Sequence, residues 1–271
     1  MIPYCNLHTH TTYCDGKSSP REIVQAALSQ GLSTLGFSGH SYTAFDPSYC
    51  MSKESTGAYI AEIRSLQAEF QGRLNICLGV EQDYFAESAE YDYDFTIGAV
   101  HYVKKDGCYW DVDESAEKIC STVKQCYGGD FYAYARDYYS LVADLPRRTG
   151  CQIVAHLDLL TKFNEKSPFF NEEDPRYLQA AFPAIAAICG TGAFFEVNTG
   201  AISRGYRSLP YPSVPLLKEI RRQGGKIILG SDSHHADTLT FAFTEALDLV
   251  RSCGFRNLMV RTSLGFEEMP I

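Results

Sequence analysis

The sequence predicts an α/β fold in which about seven strands alternate with helices around a closed or nearly closed barrel. Short apolar runs of strand length alternate with longer amphipathic segments along the chain. This alternation indicates parallel strands that are covered by helices. The length of 271 residues suits such a barrel, and a hydrophobic content of 45% can fill its core. No linker-like segment divides the chain, so we predict a single domain over residues 1–271.

The first helix has the clearest local signal. Ser19 and Glu22 form a capping box, Pro20 occupies the first turn, and Gly31 ends the helix. A short apolar lead at residues 2–4 precedes it and leads into the first strand, which ends at His8 and His10. Further strands are expected at residues 34–38, 74–80, 95–100, 152–155, 193–197 and 226–229, with a weaker one at 257–260. Further helices are expected at residues 56–70, 116–127, 131–145, 175–189, 214–223 and 239–252. The tyrosine-rich stretch 104–149 is interpreted as a helical insert.

Composition excludes several classes of function. The net charge is −9 and no Lys/Arg-rich run occurs, so we expect no sequence-independent grip on nucleic acid. Ten cysteines are scattered through apolar segments without a CxxC pair, which argues against a disulfide framework or a structural zinc site. The sequence contains no signal-peptide pattern and no long apolar span. We therefore expect a cytoplasmic protein without a membrane partner.

Ligand-competent side chains follow the ends of nearly all the predicted strands. In a parallel barrel those ends meet at one face, where barrel enzymes hold their active sites. The His-x-His pair fits this pattern, because residues two apart in a strand point to the same face. The candidate metal ligands are His8, His10, Asp15, His40, Glu81, His101, His156, Asp232 and His234. Imidazoles and carboxylates suit Zn, Mn, Fe or Co, and the sequence does not choose among them.

Each candidate ligand also has a purely structural alternative. A single histidine at a strand end is more often a hydrogen-bonded core or rim residue than a ligand. Glu81 could cap the next helix, and Asp232 could form a turn after Gly230. All of these alternatives would have to hold independently at the same end of the barrel, so we favour the metal site.

The ligand order HxH, Asp, His, Glu, His, His and Asp-x-His resembles the PHP (polymerase and histidinol phosphatase) family along almost the whole chain. It is most similar to the histidinol-phosphate phosphatase branch at residues 97–101, 155–163, 196–199, 211–213 and 229–234. The insert at 104–149 also fits that branch. The resemblance implies a distorted (β/α)7 TIM-like barrel with a trinuclear site of divalent ions. In that site one ion is held by His8, His10, Glu81 and Asp232, a second by Glu81, His101 and His156, and a third by Asp15, His40 and His234.

The resemblance implies hydrolysis of L-histidinol phosphate to L-histidinol and phosphate, a step of histidine biosynthesis. A metal-bound hydroxide would be the nucleophile, with Glu81, Asp232 and His234 as catalytic residues. Arg204 and Arg207 are candidates for binding phosphate, because a guanidinium matches two phosphate oxygens. Asn198 would hydrogen-bond the substrate or orient a ligand. Asp158 would accept a hydrogen bond from a ligand histidine or contact the substrate amine.

Two other functions remain open from the sequence. With the same metals, other branches of the family hydrolyse nucleotide or oligonucleotide phosphodiesters or protein phosphotyrosine. A different class would be a non-catalytic, metal-binding scaffold domain, against which the complete ligand set argues. The sequence predicts a small phosphate ester as the binding partner and does not predict an oligomeric state.

Overall fold

The computed structural model describes residues 5–87 and 91–271, so the predicted apolar lead at residues 2–4 lies outside the described residues. The strands are β1 (Cys5–Asn6), β2 (Thr34–Phe37), β3 (Asn75–Asp83), β4 (Phe95–Ala99), β5 (Tyr102–Lys105), β6 (Cys108–Asp111), β7 (Ile153–Val154), β8 (Phe194–Asn198), β9 (Ile227–Gly230), β10 (Asn257–Thr262) and β11 (Gly265–Pro270). The helices are α1 (Pro20–Ser29), α2 (Lys53–Glu69), α3 (Ala116–Tyr127), α4 (Phe131–Thr149), α5 (Pro175–Cys189), α6 (Gly200–Ser203), α7 (Val214–Arg222) and α8 (Phe243–Ser252).

The main sheet has the order β1-β2-β3-β4-β7-β8-β9-β10-β11. All neighbours from β1 to β10 are parallel, and only β11 pairs in the antiparallel sense, with β10. The remaining strands, β5 and β6, form a separate hairpin. The predicted α/β fold with a parallel sheet is therefore confirmed.

The barrel closes differently at its two ends. Beyond the last residues of β1 and β9, Thr9 and Ser233 form a parallel bridge, and the His10 N–H donates to the Ser233 carbonyl at 2.8 Å. At the opposite end β10 lies beside the first two strands, where the Thr34 hydroxyl donates to the Arg261 carbonyl at 2.7 Å. At one end of the barrel the segments that follow β1 and β9 contact each other directly, and at the other end β10 lies between these two strands. This difference gives the barrel its distorted shape.

Capping explains where the first two helices begin. The predicted box at α1 is present: Ser19 Oγ accepts from the Glu22 N–H, and Glu22 Oε2 accepts from the Ser19 N–H at 2.8 Å. Helix α2 begins at Lys53, earlier than predicted, because Ser52 caps it through the Ser55 N–H at 3.0 Å. The first residues of α2 are polar, so the apolar period that predicts the helix starts only after its first turn.

The bounds of one other strand and one other helix differ from the sequence prediction, and some strands were not predicted at all. Strand β3 continues to Asp83, so Glu81 lies within a strand rather than after it. The β5–β6 hairpin and β11 were not predicted, because both are partly exposed and lack a clean apolar alternation. Helix α8 begins at Phe243 because a 3₁₀ turn occupies Ala236–Thr238.

The core lies between the sheet and its helices. In the insert, Tyr134, Tyr138 and Tyr139 are fully buried, and the hydroxyls of Tyr139 and Tyr177 are 2.7 Å apart where α4 packs against α5. Most tyrosines of α4 are thus packing residues. Over the described ranges, no helix is both long and apolar enough to cross a membrane.

Candidate metal centre

The structure brings all nine predicted ligands together at the end of the barrel where the parallel strands terminate. Their potential ligand atoms form four overlapping groups, and within each group all atoms lie within 4.8 Å of one another. The groups are His10, Asp15, His40 and His234; His8, Glu81 and His156; His8, His10 and Asp232; and His40, Glu81 and His101. The loops after β1, β2, β4, β7 and β9 supply eight of these side chains, and β3 itself supplies Glu81.

Glu81 is the centre of the cluster. Its carboxylate is only 1% exposed and belongs to two of the four groups, which is the position that a bridging ligand requires. Five imidazoles surround it: Oε2 lies 3.3 Å from His8 Nε2, 3.5 Å from His10 Nε2 and 2.9 Å from His40 Nδ1, while Oε1 lies 3.5 Å from His101 Nε2 and 3.0 Å from His156 Nε2.

The other two carboxylates lie on either side of His10. Asp232 Oδ1 is 3.3 Å from His10 Nε2, and its Oδ2 accepts a hydrogen bond from Arg204 at 2.9 Å. Asp15 Oδ1 is 3.6 Å from His40 Nε2, and its Oδ2 is 3.1 Å from His234 Nε2. The ring of His10 stacks on the ring of His234 with centroids 4.2 Å apart.

Several ligand atoms of this cluster are buried without a hydrogen-bond partner. Within residues 5–87 and 91–271 they are His8 Nε2, His10 Nε2, Asp15 Oδ1 and Glu81 Oε2. Buried polar atoms are rarely left unpaired. Many of the nitrogen–oxygen separations in the cluster exceed a normal hydrogen bond but match two atoms that bind the same ion at about 2 Å each. The side chains present therefore fit divalent cations.

Two of the clustered residues have an unusual backbone conformation. Asp232 has φ +48° and His156 has φ +21°, values that side-chain-bearing residues adopt at a cost in energy. Such strain persists where the surrounding structure imposes it, and it concentrates at functional sites.

The charges of the cluster shift the pKa values of its members. Burial raises the pKa of Glu81, but the surrounding histidines, His8 first, hold it well below the usual range. The pKa of His10 falls to about 3, because burial and the neighbouring His40 and His234 disfavour its charged form. The carboxylate therefore stays ionised and His10 stays neutral, which are the forms that bind metal.

Two carboxylates that the sequence analysis missed contact the outer nitrogens of clustered histidines. Glu196 Oε1 lies 2.7 Å from His8 Nδ1, and Asp83 Oδ2 lies 3.3 Å from His101 Nδ1. Metal-binding histidines commonly have such a partner on the second ring nitrogen. Glu196 could have been found from the sequence, because a charged residue within an apolar strand is unusual.

The predicted substrate contacts Asn198 and Asp158 are used inside the protein. Asn198 donates to Glu196 Oε2 at 2.8 Å and accepts from the Gly200 N–H at 2.8 Å, which favours the orienting role over substrate contact. Asp158 is fully buried and accepts from the Ser213 N–H at 2.9 Å. Burial raises the pKa of Asp158 to about 6. Neither side chain lines the cavity above the cluster.

That cavity has a volume of about 380 Å³. Arg204 lines it, and Arg207 does not. The Arg207 side chain is 6% exposed and donates to Thr161 Oγ1 at 2.6 Å, with Glu172 at 3.4 Å. The expectation that Arg207 binds phosphate is therefore wrong. Its guanidinium is buried against Thr161 and Glu172 and does not line the cavity.

Further lining residues come from loops and from the β5–β6 hairpin, where the strand-end pattern gave no signal. Lys162 is a second cationic side chain in the lining, besides Arg204, and its Nζ is 2.8 Å from Asp113 Oδ2. The lining also includes carboxylates and aromatic rings, namely Asp46, Asp111, Glu114, Tyr49, Tyr102 and Tyr206.

Comparison with known proteins identifies related chains. The PHP domain family profile matches residues 6–200. A Deinococcus radiodurans protein named as a probable histidinol-phosphatase is 33% identical over 96% of this chain and 98% of its own. The Bacillus subtilis histidinol-phosphatase is 28% identical over 89% of this chain and 97% of its own. The solved histidinol phosphate phosphatase of Lactococcus lactis, complexed with zinc, L-histidinol and phosphate, superposes with a TM-score of 0.74 at 22% identity, covering 97% of this chain and 98% of that one.

Proposed function

This chain belongs to the PHP domain family, and we propose that it is a metal-dependent phosphomonoesterase that hydrolyses L-histidinol phosphate to L-histidinol and phosphate. The observation that carries the proposal is the cluster of nine ligand-competent side chains, seven of which line a cavity that also presents two cationic side chains, Arg204 and Lys162. The names of the full-length relatives support the substrate. The ten free cysteines suit a reducing compartment, and we place the enzyme in the cytoplasm.

The lining of the cavity supports a substrate that carries both signs of charge. Arg204 and Lys162 suit the phosphate dianion. Asp46, Asp111 and Glu114 suit the ammonium group of an amino alcohol, and the tyrosine rings offer flat surfaces to an imidazole. A phosphodiester without a cationic group would make no favourable charge contact with these carboxylates.

The proposed centre holds three divalent ions chosen from Zn, Mn, Fe and Co. Its ligand sets are those that the family resemblance implies. The overlapping groups support shared ligands, because Glu81 belongs to two of them and His10 belongs both to the group of Asp15, His40 and His234 and to the group of His8 and Asp232. Bound divalent ions would supply the Lewis acidity that stabilises charge on the phosphate and eases deprotonation of water.

The residues of the chain position the reactants. Arg204 is held by the carboxylate and carbonyl of Asp232 at 2.9 Å each, so its guanidinium is oriented before the phosphate enters. Lys162 is fixed by Asp113 and adds positive charge. Water supplies the oxygen that bonds to phosphorus, the bond between phosphorus and the ester oxygen breaks, and the alcohol leaves with a proton. No serine or cysteine nucleophile is needed.

The proposal is tested by the order of substrate preference. Metal-loaded protein is assayed with histidinol phosphate, a bis-aryl phosphate, a dinucleotide and a phosphotyrosine peptide. We expect kcat/KM for histidinol phosphate to exceed the others by on the order of a hundredfold or more, about 3 kcal/mol. A higher rate with the diester or the peptide would replace the proposed substrate. Full metal occupancy without turnover of any ester would indicate the scaffold function.

Replacing Arg204 by alanine is expected to lower kcat/KM for histidinol phosphate by about ten- to a hundredfold while bound metal is unchanged, because a charged contact to phosphate is lost. Steady-state kinetics and elemental analysis measure the two effects. Arg207→Ala is the contrasting variant, expected to destabilise the fold by about 3 kcal/mol without changing KM, since Arg207 is buried away from the cavity. Unaltered kinetics in Arg204→Ala would return Arg204 to a structural role.

Metal binding is expected to tighten as the pH rises from about 6 to about 8, by about tenfold per pH unit for each proton displaced. Burial alone lowers the pKa of His101, but the Glu81 carboxylate and the Asp83 hydrogen bond raise it to about 10 in the metal-free protein. An ion must therefore displace a proton, and lower pH favours the metal-free state. Calorimetric zinc titrations in two buffers of different ionisation enthalpy measure the protons released. Identical heats in both buffers would contradict the expectation.

A further inference from the structure

Glu196 is a buried carboxylate in the middle of an apolar strand. It lies in β8 between Phe195 and Val197 and is 1% exposed. Burying an ionised carboxylate costs several kcal/mol unless its oxygens are well paired. Glu196 lies in a core strand beside the candidate metal centre, so we expect its contacts to offset the free energy of burying its charge.

Both oxygens of Glu196 are used, and they reach two predicted ligands from different strands. Oε1 lies 2.7 Å from His8 Nδ1. Oε2 accepts from the backbone N–H of His156 at 3.1 Å and from Asn198 Nδ2 at 2.8 Å. One carboxylate thus connects the segment after β1 with the segment after β7.

The contact to His8 determines which of its ring nitrogens is free. A carboxylate accepts hydrogen bonds, so His8 Nδ1 keeps its hydrogen. The other nitrogen, Nε2, is buried without a hydrogen-bond partner and faces Glu81 Oε2 at 3.3 Å and Asp232 Oδ1 at 3.6 Å. Nε2 is therefore the ring nitrogen that is directed at the other candidate ligands.

The contact to His156 acts on the backbone. His156 has φ +21°, and its N–H is the group that Glu196 Oε2 accepts from. A charged acceptor strengthens this hydrogen bond. It therefore helps to hold the strained conformation that directs the His156 ring at Glu81 Oε1, 3.0 Å away.

Gly230 provides the space for this carboxylate. A Cβ atom built on Gly230, in the adjacent strand β9, would overlap Glu196 Oε1 and lie 2.8 Å from its Cδ. Any larger residue at position 230 would therefore push the carboxylate away from His8. The positions of Glu196 and Gly230 are structurally coupled across two neighbouring strands.

We propose that Glu196 is a positioning residue for the metal centre, which orients His8 and holds the backbone of His156, and that Gly230 keeps the room it needs. The inference rests on the proposed function only in requiring that the cluster binds divalent ions, and it is independent of the substrate.

The test measures zinc affinity by competition with a chromophoric chelator, in the whole protein. Glu196→Gln keeps the shape of the side chain and removes the charge, and it is expected to weaken zinc binding by about ten- to a hundredfold. Gly230→Ala should weaken it similarly with Glu196 intact. Because both changes disturb one contact, the double variant should lose less than the product of the single losses. Glu219→Gln is the matched control, since Glu219 is also buried but contacts Arg222 on α7, and it should bind zinc like the wild type.

A second readout reports the ring directly. Histidine ring ¹⁵N shifts of the zinc-loaded protein should show His8 protonated at Nδ1, and Glu196→Asp, which retains the charge, should recover part of the zinc affinity lost in Glu196→Gln. Unchanged zinc affinity and unchanged His8 shifts in Glu196→Gln would overturn the inference. Absence of zinc binding in the wild type would overturn the proposed metal dependence, and the inference with it. If Glu196→Gln does not fold, the result for Gly230→Ala decides.

Discussion

Replacing Glu81 by alanine is expected to abolish phosphatase activity and to remove more than one metal ion per chain. The carboxylate lies between five imidazoles and belongs to two of the four ligand groups. A bridging carboxylate serves two ions, so its loss should weaken both sites together. Its negative charge also lies within 3.5 Å of all five of these imidazoles. We expect kcat to fall by on the order of a thousandfold or more.

Elemental analysis and steady-state kinetics on the same preparation measure both effects. Glu81→Gln should give the same pattern while keeping the shape of the side chain, so that loss of packing is separated from loss of charge. Glu219→Ala is the control, because this buried glutamate contacts Arg222 and lies on α7, outside the cluster. Metal content equal to that of the wild type in Glu81→Ala would show that Glu81 does not bridge.

Replacing Asp232 by asparagine is expected to lower kcat/KM by on the order of a thousandfold in a protein that still folds. Asp232 adopts φ +48°, a conformation that asparagine tolerates far better than alanine. The substitution therefore removes the charge next to His10 and Arg204 without adding backbone strain. Asp232→Ala should lose the same activity and be less stable than Asp232→Asn by about 1 kcal/mol.

Kinetics, bound metal and thermal unfolding of the two variants separate chemistry from strain. Equal midpoints of thermal unfolding for both variants would mean that the left-handed backbone at position 232 does not measurably destabilise the alanine variant. Activity of Asp232→Asn within about tenfold of the wild type would exclude a role for the carboxylate charge in the centre.

The candidate metal ligands could be selected from the sequence because of how they are placed along it. His40, His101 and His156 each follow an apolar strand, and parallel strands bring their ends to one face whatever the details of packing. The capping box at Ser19 and the apolar runs of the seven strands are likewise local signals. Strand alternation therefore predicted the barrel and the place of the centre before any contact was known.

The residues that line the cavity were predicted less well, since their positions depend on the path of loops. Arg204 and Arg207 are three positions apart in the same loop, yet one lines the cavity and the other lies buried against Thr161. No local pattern distinguishes them, because the direction of each side chain is set by the elements that pack around it. Lys162 and the cavity-lining carboxylates Asp46, Asp111 and Glu114 were missed for the same reason.

The sequence by itself determined the α/β barrel and the nine side chains at its rim, because strand and helix periodicity and the polar residues at strand ends are local properties of the chain. Only the tertiary structure decided that Glu81 lies among five imidazoles, that Glu196 reaches His8 through the space left by Gly230, and that Arg207 turns inward. These features depend on distances between residues far apart in the chain. Packing fixes those distances to fractions of an ångström, and no local pattern encodes them.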